Sequence, residues 1–145
     1  MKVAQAMSRD VRVANPNETI REVASSMAQI DAGAIPVGEN DRLVGMITDR
    51  DIAVRAVAAG KGPDTPVREV MTQDVKYCFD DEDLNHVAKN MAEQRVRRLP
   101  VVNRDKRLVG ILSVGDIALK QKKAATEALS GVSQHGGPHS QTASA

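Results

Sequence analysis

Residues 42–52 read RLVGMITDRDI, and residues 107–117 read RLVGILSVGDI. Two near-identical stretches in 145 residues mean an internal duplication, which has to be traced before any fold is assigned. At an offset of 64, Met7, Ala24, Met27, Pro36 and Val37 meet Met71, Ala88, Met91, Pro100 and Val101. One extra residue in the second copy raises the offset to 65, and there Arg42, Leu43, Val44, Gly45, Asp51 and Ile52 meet Arg107, Leu108, Val109, Gly110, Asp116 and Ile117. A 15.6 kDa chain has room for one ordinary domain, so two copies of about 60 residues must pack together as half-domains.

Both copies have the same internal order. In the first, Val11 and Val13 alternate with polar neighbours as a short strand, which Pro16 and Asn17 break. Thr19-Ile20-Arg21-Glu22 has the form of a capping box, and Ile20, Val23, Ala24, Met27 and Ile30 follow at helical spacing. AIPV and LVGMI, separated by the turn-prone GENDR, predict a strand pair. Thr48 caps a second helix expected to run through Ala59, with Gly60 as its stop. The order is β-α-β-β-α. The second copy repeats it with a strand over Val75–Phe79, a helix carrying Leu84, Val87, Ala88 and Met91, the strands LPVV and LVGIL, and a helix from Ser113. GKGPDTP, ending at residue 66, joins the copies, giving repeat one over 1–60, a linker over 61–66 and repeat two over 67–122. Residues 123–145 are rich in Ser, Gly, Gln and Ala and too poor in apolar side chains to offset ordering entropy, which predicts a flexible tail.

Composition excludes several classes. Hydrophobic residues at 41% and charged residues at 27% are the balance of a globular protein. No apolar run approaches the roughly 18 residues of a membrane span, and MKVAQAMSRD lacks the apolar stretch of a secretory leader, so a cytoplasmic location is expected. Lys and Arg number 20 against 19 acidic residues, and the aromatics are Tyr77 and Phe79 alone, which argues against a nucleic-acid partner. His86, His135 and His139 give no nucleophile–base constellation with Cys78 or a serine, so no enzyme is expected. The His135–His139 spacing lacks further ligands, and Cys78 with His86 reads better as a buried thiol and a solvated histidine, so no metal site is expected. Gly45 and Gly110 are isolated strand glycines, a sign of close backbone packing.

The repeated [ST]-x-x-D element, Thr48–Asp51 and Ser113–Asp116, has two readings. It is a capping box, with the hydroxyl accepting a backbone N–H and the carboxylate turned back to the cap. It is also a ligand site, with the helix start facing a phosphate and the aspartate accepting hydrogen bonds from hydroxyls. Positive charge is unequally placed: Arg97 and Arg98 precede Leu99-Pro100, where the first copy has Gly33 and Ala34, while Arg50 stands where the second copy has Gly115.

Tandem β-α-β-β-α copies, each with an apolar-Pro-Val strand and a G-h-h-[ST]-x-x-D ending, resemble the cystathionine-β-synthase (CBS) domain family. The resemblance covers residues 1–122 and is nearest to small single-pair members with TDRDI and VRRLPV. It implies an α+β tandem pair with pseudo-twofold symmetry, packed through its sheets, with adenosine-containing ligands in two clefts between the copies and no required cofactor. By the same resemblance, Asp51 and Asp116 serve ribose, Thr48 and Ser113 serve phosphate or ribose, and Arg97 and Arg98 serve phosphate, while Arg50 is the cation that the first copy offers a phosphate. Adenine is expected between Ile35, Pro36, Leu99 and Pro100, with backbone near Val75 and Lys76 reading its edge. With Arg97 and Arg98 set beside Ser113 and Asp116, the tighter site is expected there. The reading is a non-catalytic homodimeric sensor of AMP, ADP, ATP or S-adenosylmethionine that signals in trans to a protein target. The alternative is a structural or stress-related dimerisation protein with vestigial clefts.

Overall fold

The computed structural model describes residues 1–122; the stretch read as a tail, with His135 and His139, lies outside them. Helix α1 (Ile20–Ile30) starts at the expected capping box: Thr19 Oγ1 accepts from Glu22 N–H at 3.2 Å and Glu22 Oε1 accepts from Thr19 N–H at 3.3 Å. It ends at Asp31 in the left-handed conformation, φ 54°. Helix α3 (Leu84–Gln94) is its copy, capped by Asp83 and ended by Arg95 at φ 58°. Strands β1 (Ala34–Glu39) and β2 (Arg42–Thr48) form an antiparallel hairpin. Its turn is Asn40-Asp41, with both φ angles positive as a two-residue turn between twisted strands requires. In the second copy, β4 (Arg98–Val102) pairs with β5 (Leu108–Ser113), and the extra residue lies in their connection. There Asn103 Oδ1 accepts from the N–H groups of Asp105 and Arg107, each at 3.0 Å. The register is reproduced, Ala34 opposite Thr48 and Arg98 opposite Ser113, with an irregularity after Val37 and after Val101.

The leading strands are shorter than expected. In place of a strand over Val11 and Val13, Ala14 alone bridges to Val37, because the turn Asn15–Glu18 diverts the chain at once. In the second copy, β3 is only Cys78–Phe79, parallel to β4; Val75 N–H bonds to Gln73 O at 3.0 Å and bends the preceding stretch away. Helix α2 (Asp49–Asp51) continues over Ile52–Val57 with wider i→i+5 bonding, as in Ala58 N–H to Ala53 O at 3.0 Å, and Gly60 at φ 80° follows it. Helix α4 begins after Ser113 and runs to the end of the described residues, 114–122.

Sequence copy and packing unit differ. The opening turn Val3–Gln5 packs in the core of copy two, where Val3, Ala6 and Met7 meet Cys78, Leu84, Val87, Met91, Leu99 and Leu112. The matching turn Val67–Glu69 packs in copy one, where Val67, Val70 and Met71 meet Ile20, Val23, Ile35 and Ile47. Val3 and Val67 are fully buried, each contributing roughly 1.5–3 kcal/mol. Two reciprocal backbone bridges, Ser8 with Ile111 and Met46 with Thr72, fasten the crossing segments to the opposite sheets. The glycines are explained here: a Cβ on Gly45 would lie 2.7 Å from Met71 Sδ and 2.9 Å from Thr72 O, and one on Gly110 2.6 Å from Ser8 O. The sheets also touch where Arg42 bridges to Arg107 and where Arg107 Nη1 meets Asp41 Oδ2 at 3.1 Å. The result is an α+β pair joined through its sheets, two-stranded in copy one and three-stranded in copy two.

Candidate functional site

Crossing segments and sheets leave two clefts at matching positions. Cleft one, about 270 Å³, is lined by Thr48 and Asp51 from the end of β2 and start of α2, by Thr72, Asp74, Val75 and Lys76 from the crossing segment, and by Arg98, Leu99 and Pro100 from β4. Met46 and Val96 complete its apolar wall. Cleft two, about 520 Å³, is lined by Ser8, Asp10, Val11 and Arg12 at the positions 64 residues earlier, with Ile30, Ala32, Ala34 and Ile35 opposite Ile111 and with Arg98, which thus borders both clefts.

The capping reading of [ST]-x-x-D holds in both copies. Thr48 Oγ1 accepts from Asp51 N–H at 3.0 Å and Asp51 Oδ2 accepts from Thr48 N–H at 3.0 Å; Ser113 and Asp116 repeat this at 3.0 and 3.1 Å. The Arg50 N–H is bonded to Asp49 Oδ1 at 2.8 Å, so the start of α2 has its donors already engaged. What remains toward cleft one is Asp51 Oδ1, 3.9 Å from Arg55 Nη1, on a side chain only 14% exposed. Arg55 also donates to Met71 O and Thr72 Oγ1, tying the crossing segment to α2.

Arg98, with Leu99, Pro100, Val75 and Lys76, shares a cleft with Thr48 and Asp51 rather than with Ser113 and Asp116. The β4 face bearing Arg98 and Pro100 turns toward Met46 and Thr48 of the other copy, a pairing between copies that within-copy alignment could not show. Of the described residues, Ser113 and Asp116 line neither cleft, although Ser113 stands opposite Arg98 in the β4–β5 register. Arg50 and Arg97 are exposed and line neither; Ile35 lines cleft two, and Pro36 is buried opposite Met46. Thr72 and Asp74, with Ser8, Asp10 and Arg12, are lining residues that sequence reasoning missed; their matching positions at an offset of 64 were the available signal.

Charge separates the clefts. Among the described residues, Lys76 and Arg98 form no salt bridge. Arg12, the counterpart of Lys76, is held by Glu18 at 2.6 and 3.1 Å and also bonds Ser26 Oγ and Val13 O. Hydrogen bonding from Arg12 holds the Glu18 carboxyl below the usual carboxylate range, and the Arg12 guanidinium is raised in return. Elsewhere, burial pushes the Cys78 thiol up to about 12, with Glu82 and Asp80 adding to the shift, so it is not a thiolate at neutral pH. Among the described residues no group of three or more His, Cys, Asp or Glu is placed to hold a metal ion, and no helix is long and apolar enough to cross a membrane.

This architecture is that of a tandem CBS pair. Residues 3–57 and 67–122 each match the CBS domain model, and the chain belongs to that family. It is 42% identical to the CBS domain-containing protein YhcV of Bacillus subtilis over 133 residues, 90% of this chain and 94% of that protein. The crystal structure of Hypoxic Response Protein I, with two coordinated zinc ions, is similar at a TM-score of 0.74 and 36% identity, covering 82% of this chain and 98% of that one. The CBS domain pair of protein MJ0100, solved in complex with 5′-methylthioadenosine and S-adenosyl-L-methionine, is similar at a TM-score of 0.74 and 30% identity, covering 86% of this chain and 98% of that one.

Proposed function

We propose that the protein is a cytoplasmic, non-catalytic sensor in which cleft one binds an adenosine-containing ligand and occupancy alters how a homodimer engages a protein target. The observation that carries this reading is the convergence in cleft one of an acceptor for ribose hydroxyls, Asp51, apolar walls for a base, Val75, Val96, Leu99 and Pro100, and two cations without salt bridges, Lys76 and Arg98. Because the start of α2 caps itself, phosphate contact falls to Lys76 and Arg98 rather than to helix N–H groups. The adenosine ligands of the similar MJ0100 pair support the ligand class.

A thermal-shift panel of AMP, ADP, ATP and S-adenosylmethionine tests the reading. At 100-fold excess over its dissociation constant, a ligand that binds only the folded chain stabilises it by about 2.7 kcal/mol, a shift of several degrees at this size. No shift with any of the four at millimolar concentration overturns the proposal. The homodimer is supported by exposed Val54 and Val57 at the end of α2 and Leu119 on α4, apolar surface that a second copy would cover. Light scattering is expected to give about 31 kDa, twice the 15.6 kDa of one chain; a monomer mass at micromolar concentration removes this part of the reading.

A further inference from the structure

Arg98 lines both clefts. It opens β4, its side chain is exposed, and its counterpart in copy one is Ala34, so no second cation mirrors it. The other cations lining the clefts are Lys76 in cleft one and Arg12 in cleft two, and Arg12 is already paired with Glu18. Cleft one therefore keeps a cation when Arg98 points elsewhere. Cleft two keeps only a neutralised one.

We infer that Arg98 is a shared cation that couples the two clefts: a phosphate held in one removes the guanidinium from the other. The inference rests on the proposed function for cleft one and extends the same ligand class to cleft two. A guanidinium presents one planar fork, which binds a single phosphate bidentately, so two phosphate-bearing ligands compete for it while two uncharged nucleosides do not. The coupling is reciprocal by linkage, so it has the same size whichever cleft fills first. Lys76 sends the first phosphate to cleft one, and cleft two then binds phosphate without its strongest donor.

The test is calorimetry on the full chain with AMP and adenosine as probes, with cleft one blocked. Thr72→Trp fills that cleft from an exposed position and leaves the Thr48–Asp51 cap intact. Coupling predicts that cleft two of the blocked chain binds AMP at least about tenfold tighter than the weaker AMP phase of the native chain. Adenosine affinity stays the same, and adding Arg98→Ala abolishes the gain. Independent clefts predict equal AMP affinity in the blocked and native chains; that result, or a gain that survives Arg98→Ala, overturns the inference. Asp74→Trp, from a second exposed position lining cleft one, serves as the block if Thr72→Trp lowers the melting temperature. Adenosine binding in both clefts with no AMP gain sinks the coupling alone, whereas no binding of either probe sinks the nucleotide reading together with it.

Discussion

Cleft one and cleft two are built on the same backbone: a crossing segment, a β-hairpin and the end of a neighbouring sheet, at positions 64 or 65 residues apart. Their side chains differ. At the matched positions Lys76 corresponds to Arg12, Arg98 to Ala34 and Val96 to Ala32; cleft one, the smaller, has Lys76 as a cation of its own without a salt bridge, cleft two has its own arginine locked to Glu18, and Arg98 borders both. Duplication reproduces register, caps and crossing segments because those depend on backbone hydrogen bonds and glycines. Ligand preference rests on a few side chains that the register leaves unconstrained, and there the copies have diverged.

The largest expected effect comes from breaking the crossing that builds both clefts. Gly110→Ala places a Cβ 2.6 Å from the backbone oxygen of Ser8, which cannot yield without moving the segment carrying Asp10 and Arg12. Gly45→Ala meets Met71 Sδ at 2.7 Å, part of a flexible side chain, before Thr72 O at 2.9 Å. Overpacking of this kind costs about 1–3 kcal/mol, so Gly110→Ala is expected near the upper end and Gly45→Ala nearer 2 kcal/mol in urea unfolding. Equal and negligible losses would mean that the crossing segments are held loosely and the clefts are not preformed.

Next in size is the ribose acceptor. Asp51→Ala should weaken AMP in the tighter calorimetric phase at least about tenfold, the equivalent of one hydrogen bond to a charged group, while Asp116→Ala leaves that phase in place. Each substitution also removes a cap partner worth about 1 kcal/mol, so melting temperatures without ligand should fall by similar amounts in the two variants. If Asp116→Ala removes the tight phase and Asp51→Ala spares it, Ser113 and Asp116 hold the primary site after all and the assignment to cleft one is wrong.

The caps, the helical faces, the strand pairs and the close approach at Gly45 and Gly110 were legible in the sequence, because each is encoded by residues near one another or by the repeat itself. Partnership across the copies was not. Nothing in VAQAM or VREVM says that each buries its valines in the opposite core, since either core offers the same apolar face. Grouping Arg98 with Ser113 followed naturally from strand neighbours, and they are register partners; only the packing of the sheets shows that the cavity beside Arg98 is closed by Thr48 and Asp51. Arg12 was read as part of an alternating strand, yet the turn at Asn15–Glu18 brings a carboxylate back onto it.

That ion pair gives the smallest expected effect and the sharpest test of why the clefts differ. Arg12 and Glu18 have side chains 28% and 22% exposed, and a pair so placed contributes on the order of 1 kcal/mol, so Glu18→Gln should lower stability by about that or less. Because the Glu18 pKa is depressed in the folded state, the contribution is fully present above the unfolded carboxyl value of about 4.3 and is lost as pH falls through the lower folded value. The stability gap between native and variant chains should therefore hold steady from neutral pH to about 5 and close below about 4, followed by urea unfolding at each pH. A gap that widens on acidification would contradict the depressed pKa. Neutralising position 18 also leaves the Arg12 charge without its counter-ion in cleft two. AMP affinity there should rise several-fold with adenosine affinity unchanged; if it does not, the locked guanidinium is not what separates the two clefts, and cavity size becomes the remaining cause.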